Sequence, residues 1–217
     1  MPPPPFPPLA TGSHFYRYGT TAHLEWLEPL VVGHKLFIPL ASTFNDLRDV
    51  RPRLQEKTSA EWAAYLRTRI PLTQLPAGQA ALSDRLEEIV AEIGAPKIYE
   101  MATTGWQEKT QNHHIYCLSK RWDNLSMWEW YAARQTGYCL EFAKTGLFVD
   151  VRDVVYQRPP VYDLTDLSNA TSPSWFFYKY PEWSNEEELR LVLARRQGGP
   201  TFEVGPALLT RVILGED

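Results

Sequence analysis

Two different periods of apolar and polar residues run along the 217-residue chain. Residues 14–18 read as a short strand. Over 20–32, Leu24, Leu27 and Val31 recur at helical spacing, and Gly33 supplies a stop. A second strand is predicted at 35–40, running into 41–49, where Asn45 and Asp46 favour a turn. The texture then changes. Thr58 and Glu61 form a capping-box pattern ahead of Trp62 and Leu66. Leu82, Leu86, Ile89, Val90 and Ile93 mark an amphipathic helix that Gly94 and Pro96 end, and a further helix is predicted over 96–109. Strand signals return at 115–118. Asn124 stands where it would cap a short helix carrying Leu125, Trp128 and Tyr131, and Gly137 precedes a strand at 138–142. A strand at 151–156 and a loop at 159–173 follow. Over 186–194, Leu189, Leu191 and Leu193 share one face while Glu188, Arg190 and Val192 share the other. Residues 210–214 read as the last strand.

The sum is an α+β fold: a mostly antiparallel sheet with packed helices and a helical insertion at about 50–112. Residues 13–217 are expected to form one domain. Residues 1–12 are expected to be a disordered, proline-rich tail.

Composition narrows the classes. With 22 Lys plus Arg against 26 Asp plus Glu, the formal net charge is −4. That argues against general duplex binding, which needs clustered cations, but leaves room for a nucleic acid at one local site. No apolar run approaches the roughly 20 residues of a membrane span. Two cysteines, Cys117 and Cys139, are too few for a disulfide framework, and the start lacks the features of a secretory signal. A cytoplasmic location is the expectation. The 8 Trp, 11 Tyr and 9 Phe crowd the second half, where such residues chiefly build core.

Several chemistries lack their motifs. There is no phosphate-binding Gly-x-x-x-x-Gly-Lys, no Gly-x-Gly-x-x-Gly and no Gly-x-Ser-x-Gly. His113, His114, Cys117 and Cys139 fit no common zinc spacing and read better as ordinary strand residues, so no metal is expected. The most informative segment is Trp183-Ser-Asn-Glu186-Glu187-Glu188-Leu189-Arg190. Strand alternation puts Glu186, Glu188 and Arg190 on one face if the strand starts early enough, and two like charges there need solvent or a cation such as Arg190. One reading is a solvated edge strand. The other is a Glu-x-Glu catalytic element whose second carboxylate stabilises a positively charged sugar transition state. Ser119 ends a strand, where a hydroxyl can enter a cleft, and Asn124, Met127, Trp128 and Tyr131 follow it. In the first strand, Tyr16 and Tyr18 point one way and Arg17 the other. Arg17 is either a surface charge or a bidentate anion ligand.

Together these clusters resemble one bacterial domain-of-unknown-function family, numbered twenty-nine seventy-one. The matching residues are Tyr16, Arg17 and Tyr18; Phe44, Asn45 and Asp46; Leu118 and Ser119; Asn124, Met127, Trp128, Tyr131 and Ala132. Gly137, Cys139, Glu141, Trp183, Glu186, Glu188, Arg190, Leu214 and Gly215 complete them. The resemblance covers about 14–49 and 113–215, and Leu47 and Arg48 depart from the family's usual Pro and aromatic. The family implies no established activity. The order of Arg, Ser and Glu-x-Glu on successive strands is similar to that of the Arg-Ser-Glu type of ADP-ribosyltransferase, an activity found among toxins and antiphage effectors. The opening strand–helix–strand resembles that of DNA-targeting members.

That second resemblance implies NAD as substrate. Arg17, with Tyr18 and Arg190, would serve NAD binding, and Ser119 would order the nicotinamide–ribose pocket. Trp128 or Tyr131 would stack on nicotinamide. Glu188 would be the catalytic carboxylate, with Glu186 orienting a protein or nucleic-acid acceptor and Asn45 and Asp46 contributing to substrate binding. The alternative is a non-catalytic ligand-sensing or protein-interaction module. A third class is a Mg²⁺ nuclease using Asp46, Asp49, Glu186 and Glu188.

Overall fold

The computed structural model describes residues 7–44, 49–69, 85–164, 174–194 and 199–216. Asn45 and Asp46 lie outside the described residues, as do Leu47 and Arg48. The chain divides into two compact units. The larger holds Pro4–Arg51, Thr110–Pro159 and Ser174–Asp217, and the smaller is built mainly from Pro52–Lys109 and Pro160–Pro173.

The larger unit is an antiparallel sheet with helices, and the fold is α+β. Strand β1 (His14–Gly19) leads through a short turn to α1 (Leu24–Gly33) and β2 (Lys35–Phe37). In the smaller unit, β3 (Arg53–Leu54), α2 (Ser59–Arg69), α3 (Leu86–Ile93) and α4 (Ala95–Gln111) follow. The chain then returns through β4 (His113–Ser119), α5 (Leu125–Tyr131), β5 (Tyr138–Ala143), β6 (Arg152–Asp153) and β7 (Val155–Tyr156). Strand β8 (Val161–Tyr162) belongs to the smaller unit, and β9 (Tyr178–Lys179), β10 (Glu188–Ala194), β11 (Thr201–Glu203) and β12 (Leu209–Leu214) complete the larger. Six strands form the main sheet in the order β12-β5-β1-β4-β10-β6.

Alternation decides the two faces. Phe15 pairs with Phe142, Leu189 with Leu118 and Leu191 with Tyr116, and these side chains join Leu30, Leu36, Ile38 and Phe148 in the main core. Burying each is worth about 1.5–3 kcal/mol. The opposite face carries a smaller cluster of Tyr18, Trp128, Ala132 and Cys139.

In the smaller unit the capping box forms as predicted: Thr58 N–H donates to Glu61 Oε2 at 2.7 Å, and Glu61 N–H to Thr58 Oγ1 at 3.3 Å. Trp62, Leu86, Val90 and Ile98 are buried. Here the expected loop at 159–173 is corrected at 161–162 only, where β8 pairs in parallel with β3, Arg53 opposite Val161, while 165–173 lie outside the described residues. Two-residue strands give too little alternation to be read from sequence. The expected unpacked tail is also corrected at residues 7–10. Ala10 is buried, its N–H donates to Val151 O at 2.9 Å, and Arg152 Nη1 donates to Pro7 O at 2.6 Å. Among the described residues no helix is long and apolar enough to cross a membrane.

Close backbone contact fixes the end of α5. A Cβ on Gly137 would sit 2.3 Å from Gly19 O and 2.8 Å from Ala132 O. Gly105, inside α4, has nothing within 4 Å of the same position. Gly137→Ala should therefore lower stability by about 3 kcal/mol, the upper end for overpacking. Gly105→Ala should raise it by roughly 0.5–1 kcal/mol. Urea midpoints of the two variants check both signs.

Candidate functional site

The site forms where the main sheet loses its ladder. Strand β1 pairs with β5 along its whole length and β4 with β10 along theirs, but β1 and β4 share the single pair Tyr16–Ser119. The sheet is thus split into the halves β12-β5-β1 and β4-β10-β6. Arg17 reaches across the split: its Nη1 donates to Cys117 O at 2.7 Å, and its guanidinium carbon lies 4.7 Å from the Tyr116 ring centre. A cleft of about 760 Å³ opens along this line. Arg17, Tyr116 and Tyr138 line it, as do Ser119, Tyr131, Lys179, Glu186 and Glu188, which hydrogen bonds join into one acidic group. Register puts Arg17 on the apolar face and Glu188 and Ser119 on the other. The split is what lets both faces open into one cleft.

At the acidic end three carboxylates converge on two cations. Arg190 is fully buried, and its Nε and Nη2 donate to Glu188 Oε1 and Oε2 at 2.6 and 3.0 Å. Its Nη2 also donates to Asp49 Oδ2 at 2.7 Å and its Nη1 to Phe176 O at 2.6 Å. Lys179 Nζ donates to Glu188 Oε2 at 3.0 Å and to Glu186 Oε2 at 2.5 Å. Tyr131 OH donates to the other oxygen, Glu186 Oε1, at 2.7 Å. Both glutamates are at most 5% exposed. Burial opposes ionisation of Glu188, but Arg190 and then Lys179 outweigh it and hold its carboxyl at about 2. Burial likewise opposes the Lys179 charge, and Glu188 and Glu186 overcome it and raise its pKa. Burial, reinforced by Glu186, pushes the Tyr131 hydroxyl up. Burial and the neighbouring Glu188 keep the Cys117 thiol protonated.

The surrounding backbone is built to hold this arrangement. Glu186 closes a short turn (Pro181–Glu186), and Glu187 follows at φ 46° in the left-handed region. Such a residue costs about 1–3 kcal/mol and persists where its surroundings over-determine it. Ser119 Oγ donates to Glu186 O at 3.0 Å, and Glu188 N–H donates to Tyr156 Oη at 2.5 Å. Parallel pairing of β7 with β9 sets Tyr156 beside Lys179. Asn124 caps α5 as predicted, accepting from Ser126 and Met127 N–H, while its Nδ2 donates to Asn185 O at 2.5 Å.

Of the residues expected from sequence, Arg17, Tyr18, Ser119, Tyr131, Glu186 and Glu188 line one cleft. Two roles are corrected. Trp128 is 7% exposed, donates Nε1–H to Trp122 O at 2.7 Å and packs edge-on against Tyr18, so it is core rather than a stacking platform. Arg190 is walled in beneath Glu188 and holds that carboxylate instead of a ligand. Tyr18 keeps its place in the cleft lining while its hydroxyl holds the loop before α5, donating to Arg121 O at 2.8 Å and accepting from Asn124 N–H at 3.2 Å. Strand β10 also starts at Glu188, so Glu186 reaches Glu188 through Lys179 and not by strand alternation. Asp49, Glu186 and Glu188 face protein cations where the nuclease reading needs Mg²⁺. Among the described residues no group of three or more His, Cys, Asp or Glu is arranged to hold a metal.

Sequence reasoning missed Lys179 and Tyr156. The signal for Lys179 was a lone cation in the aromatic run Trp175-Phe-Phe-Tyr-Lys179-Tyr. No protein-family model, curated protein or solved structure matches the chain.

A carboxyl held low in the folded state stabilises the protein above its ordinary pKa of 4.5 and loses that contribution as pH falls toward 2. Wild-type stability should therefore fall more steeply across this window than that of Glu188→Gln, by about one bound proton. Urea denaturation at stepped pH measures the difference in slope.

Proposed function

We propose that the protein binds NAD⁺ in the cleft, breaks the nicotinamide–ribose bond and passes ADP-ribose to a macromolecular acceptor or to water. The observation that carries this reading is the split between β1 and β4. It brings Arg17 and the Glu186–Glu188 pair, on opposite faces of the sheet, into one cleft. A guanidinium is the natural partner of a pyrophosphate, and Arg17 spends one described donor on Cys117 O. The acidic end holds two cations and three carboxylates, 2 − 3 = −1, which suits the positively charged nicotinamide ring. The exposed faces of Tyr131 and Trp130 add cation–π attraction. When the bond breaks, its electron pair leaves with nicotinamide and positive charge develops on the ribose. Glu188, ionised and fixed, then stabilises that charge without reorganising. The acceptor's nucleophile closes on the anomeric carbon and gives up its proton to solvent. The resemblance of Arg17, Ser119 and Glu188 to the Arg-Ser-Glu pattern supports the same chemistry as an analogy.

One observation favours a second reading. Both Glu188 oxygens already face a cation, which suits a binding site that senses a nucleotide without turning it over.

Nicotinamide release, followed by chromatography beside calorimetric titration of NAD⁺, separates the two. The wild type should bind NAD⁺ and release nicotinamide. Glu188→Gln, with its fold checked by circular dichroism, should lose about 100-fold or more of the release rate. Unchanged release in Glu188→Gln overturns the catalytic role. Binding without release selects the sensing module, and absence of NAD⁺ binding overturns the NAD⁺ reading.

A further inference from the structure

The far arm of the cleft holds three aromatic rings that the chemistry above does not use. His23, Trp26 and Phe37 form a near-parallel stack: the first two ring centres are 4.4 Å apart at 8°, the second pair 5.0 Å apart at 11°. All three line the same cleft as Arg17. The stack is open rather than core: Trp26 is stacked on both neighbours, but half of the His23 side chain is exposed, which leaves the outer His23 ring for a further planar group. Beside it stands Thr20, whose backbone O accepts from His23 N–H at 3.2 Å. Thr20 lines the cleft, and its Oγ1 is buried with no hydrogen-bond partner among the described residues. A buried hydroxyl left unpaired costs free energy, and a ligand group is the natural way to satisfy it.

Stacked rings, an unsatisfied hydroxyl and an adjoining guanidinium are the elements of a nucleotide subsite: a planar base, a nucleoside polar group and a phosphate. Along β1, Arg17 stands between Tyr16, which pairs with Ser119 at the carboxylates, and Thr20, which precedes His23 and Trp26, and that order sets the ligand along the cleft. We propose that the His23–Trp26–Phe37 stack is the purine-base subsite, with the Thr20 hydroxyl hydrogen-bonding the nucleoside it carries. This rests on the NAD⁺ reading and fixes the direction of the dinucleotide: adenosine at α1, nicotinamide at Tyr131 and Glu186.

Half-molecules test it without any turnover. AMP and nicotinamide mononucleotide are titrated calorimetrically, beside NAD⁺, into the wild type, Trp26→Ala, Thr20→Val and Tyr131→Ala. Trp26→Ala should weaken AMP and NAD⁺ about tenfold or more and leave the mononucleotide unchanged. Thr20→Val, which keeps shape and removes only the hydroxyl, should weaken AMP by about threefold or more. Tyr131→Ala should do the reverse, weakening the mononucleotide and sparing AMP. Equal AMP affinity in Trp26→Ala and wild type overturns the subsite while the NAD⁺ reading stands. Parallel loss of both halves in Trp26→Ala also overturns it, since that is a collapsed cleft. AMP binding that depends on Trp26 in a protein that does not bind NAD⁺ keeps the purine subsite and removes the NAD⁺ reading. Absence of AMP binding to the wild type overturns the proposal.

Discussion

A guanidinium with no access to solvent lies beneath the cleft, and the rest of the site is arranged around compensating it. Arg190 sits on the inner strand β10 and is fully buried. Leaving such a charge unpaired costs several kcal/mol. Glu188 and Asp49 neutralise it, and the Phe176 carbonyl takes a remaining donor. That pairing fixes the Glu188 carboxylate at the cleft wall and keeps it ionised through any physiological pH. Lys179 then ties Glu188 to Glu186, and Tyr131 fixes the outer oxygen of Glu186. Removing Arg190 would leave Glu188 with Lys179 as its one cation among the described residues.

The same geometry explains why a sheet residue and a turn residue act together. Glu188 belongs to a strand and Glu186 to the turn before it, with Glu187 in the left-handed region between them. Ser119 holds the Glu186 backbone from the end of β4, and Asn124 holds that of Asn185 from the cap of α5. Two elements therefore converge on one turn. The split between β1 and β4 supplies the space in front of it, and Arg17 closes the gap in the ladder with its side chain rather than its backbone.

Much of this was legible because it is local. The alternation of Leu189 and Leu191 against Glu188 and Arg190 is a period-two signal, and the Asn124 cap and the Thr58–Glu61 box are contained within a few residues. Arg190 was recognisable as the partner of Glu188 from the electrostatic need alone. What was not legible is long-range or irregular. Asp49 and Arg190 are 141 residues apart, and nothing in either neighbourhood announces the pair. Lys179 was masked by the aromatic run that holds it. Trp128 and Tyr131 share a seven-residue helix, and composition cannot say which one turns inward. Packing on Tyr18 decides for Trp128. The start of β10 was misread because a left-handed residue ends alternation without any glycine to signal it.

The central claim is that one ligand spans the split, touching Arg17 at its middle and the Glu188 carboxylate at one end. A crystal structure of the protein soaked with NAD⁺ tests it most directly. The account predicts pyrophosphate oxygens within hydrogen-bond distance of the Arg17 guanidinium and the nicotinamide ribose against Glu188. NAD⁺ bound elsewhere, or in the cleft with its pyrophosphate away from Arg17, would contradict it.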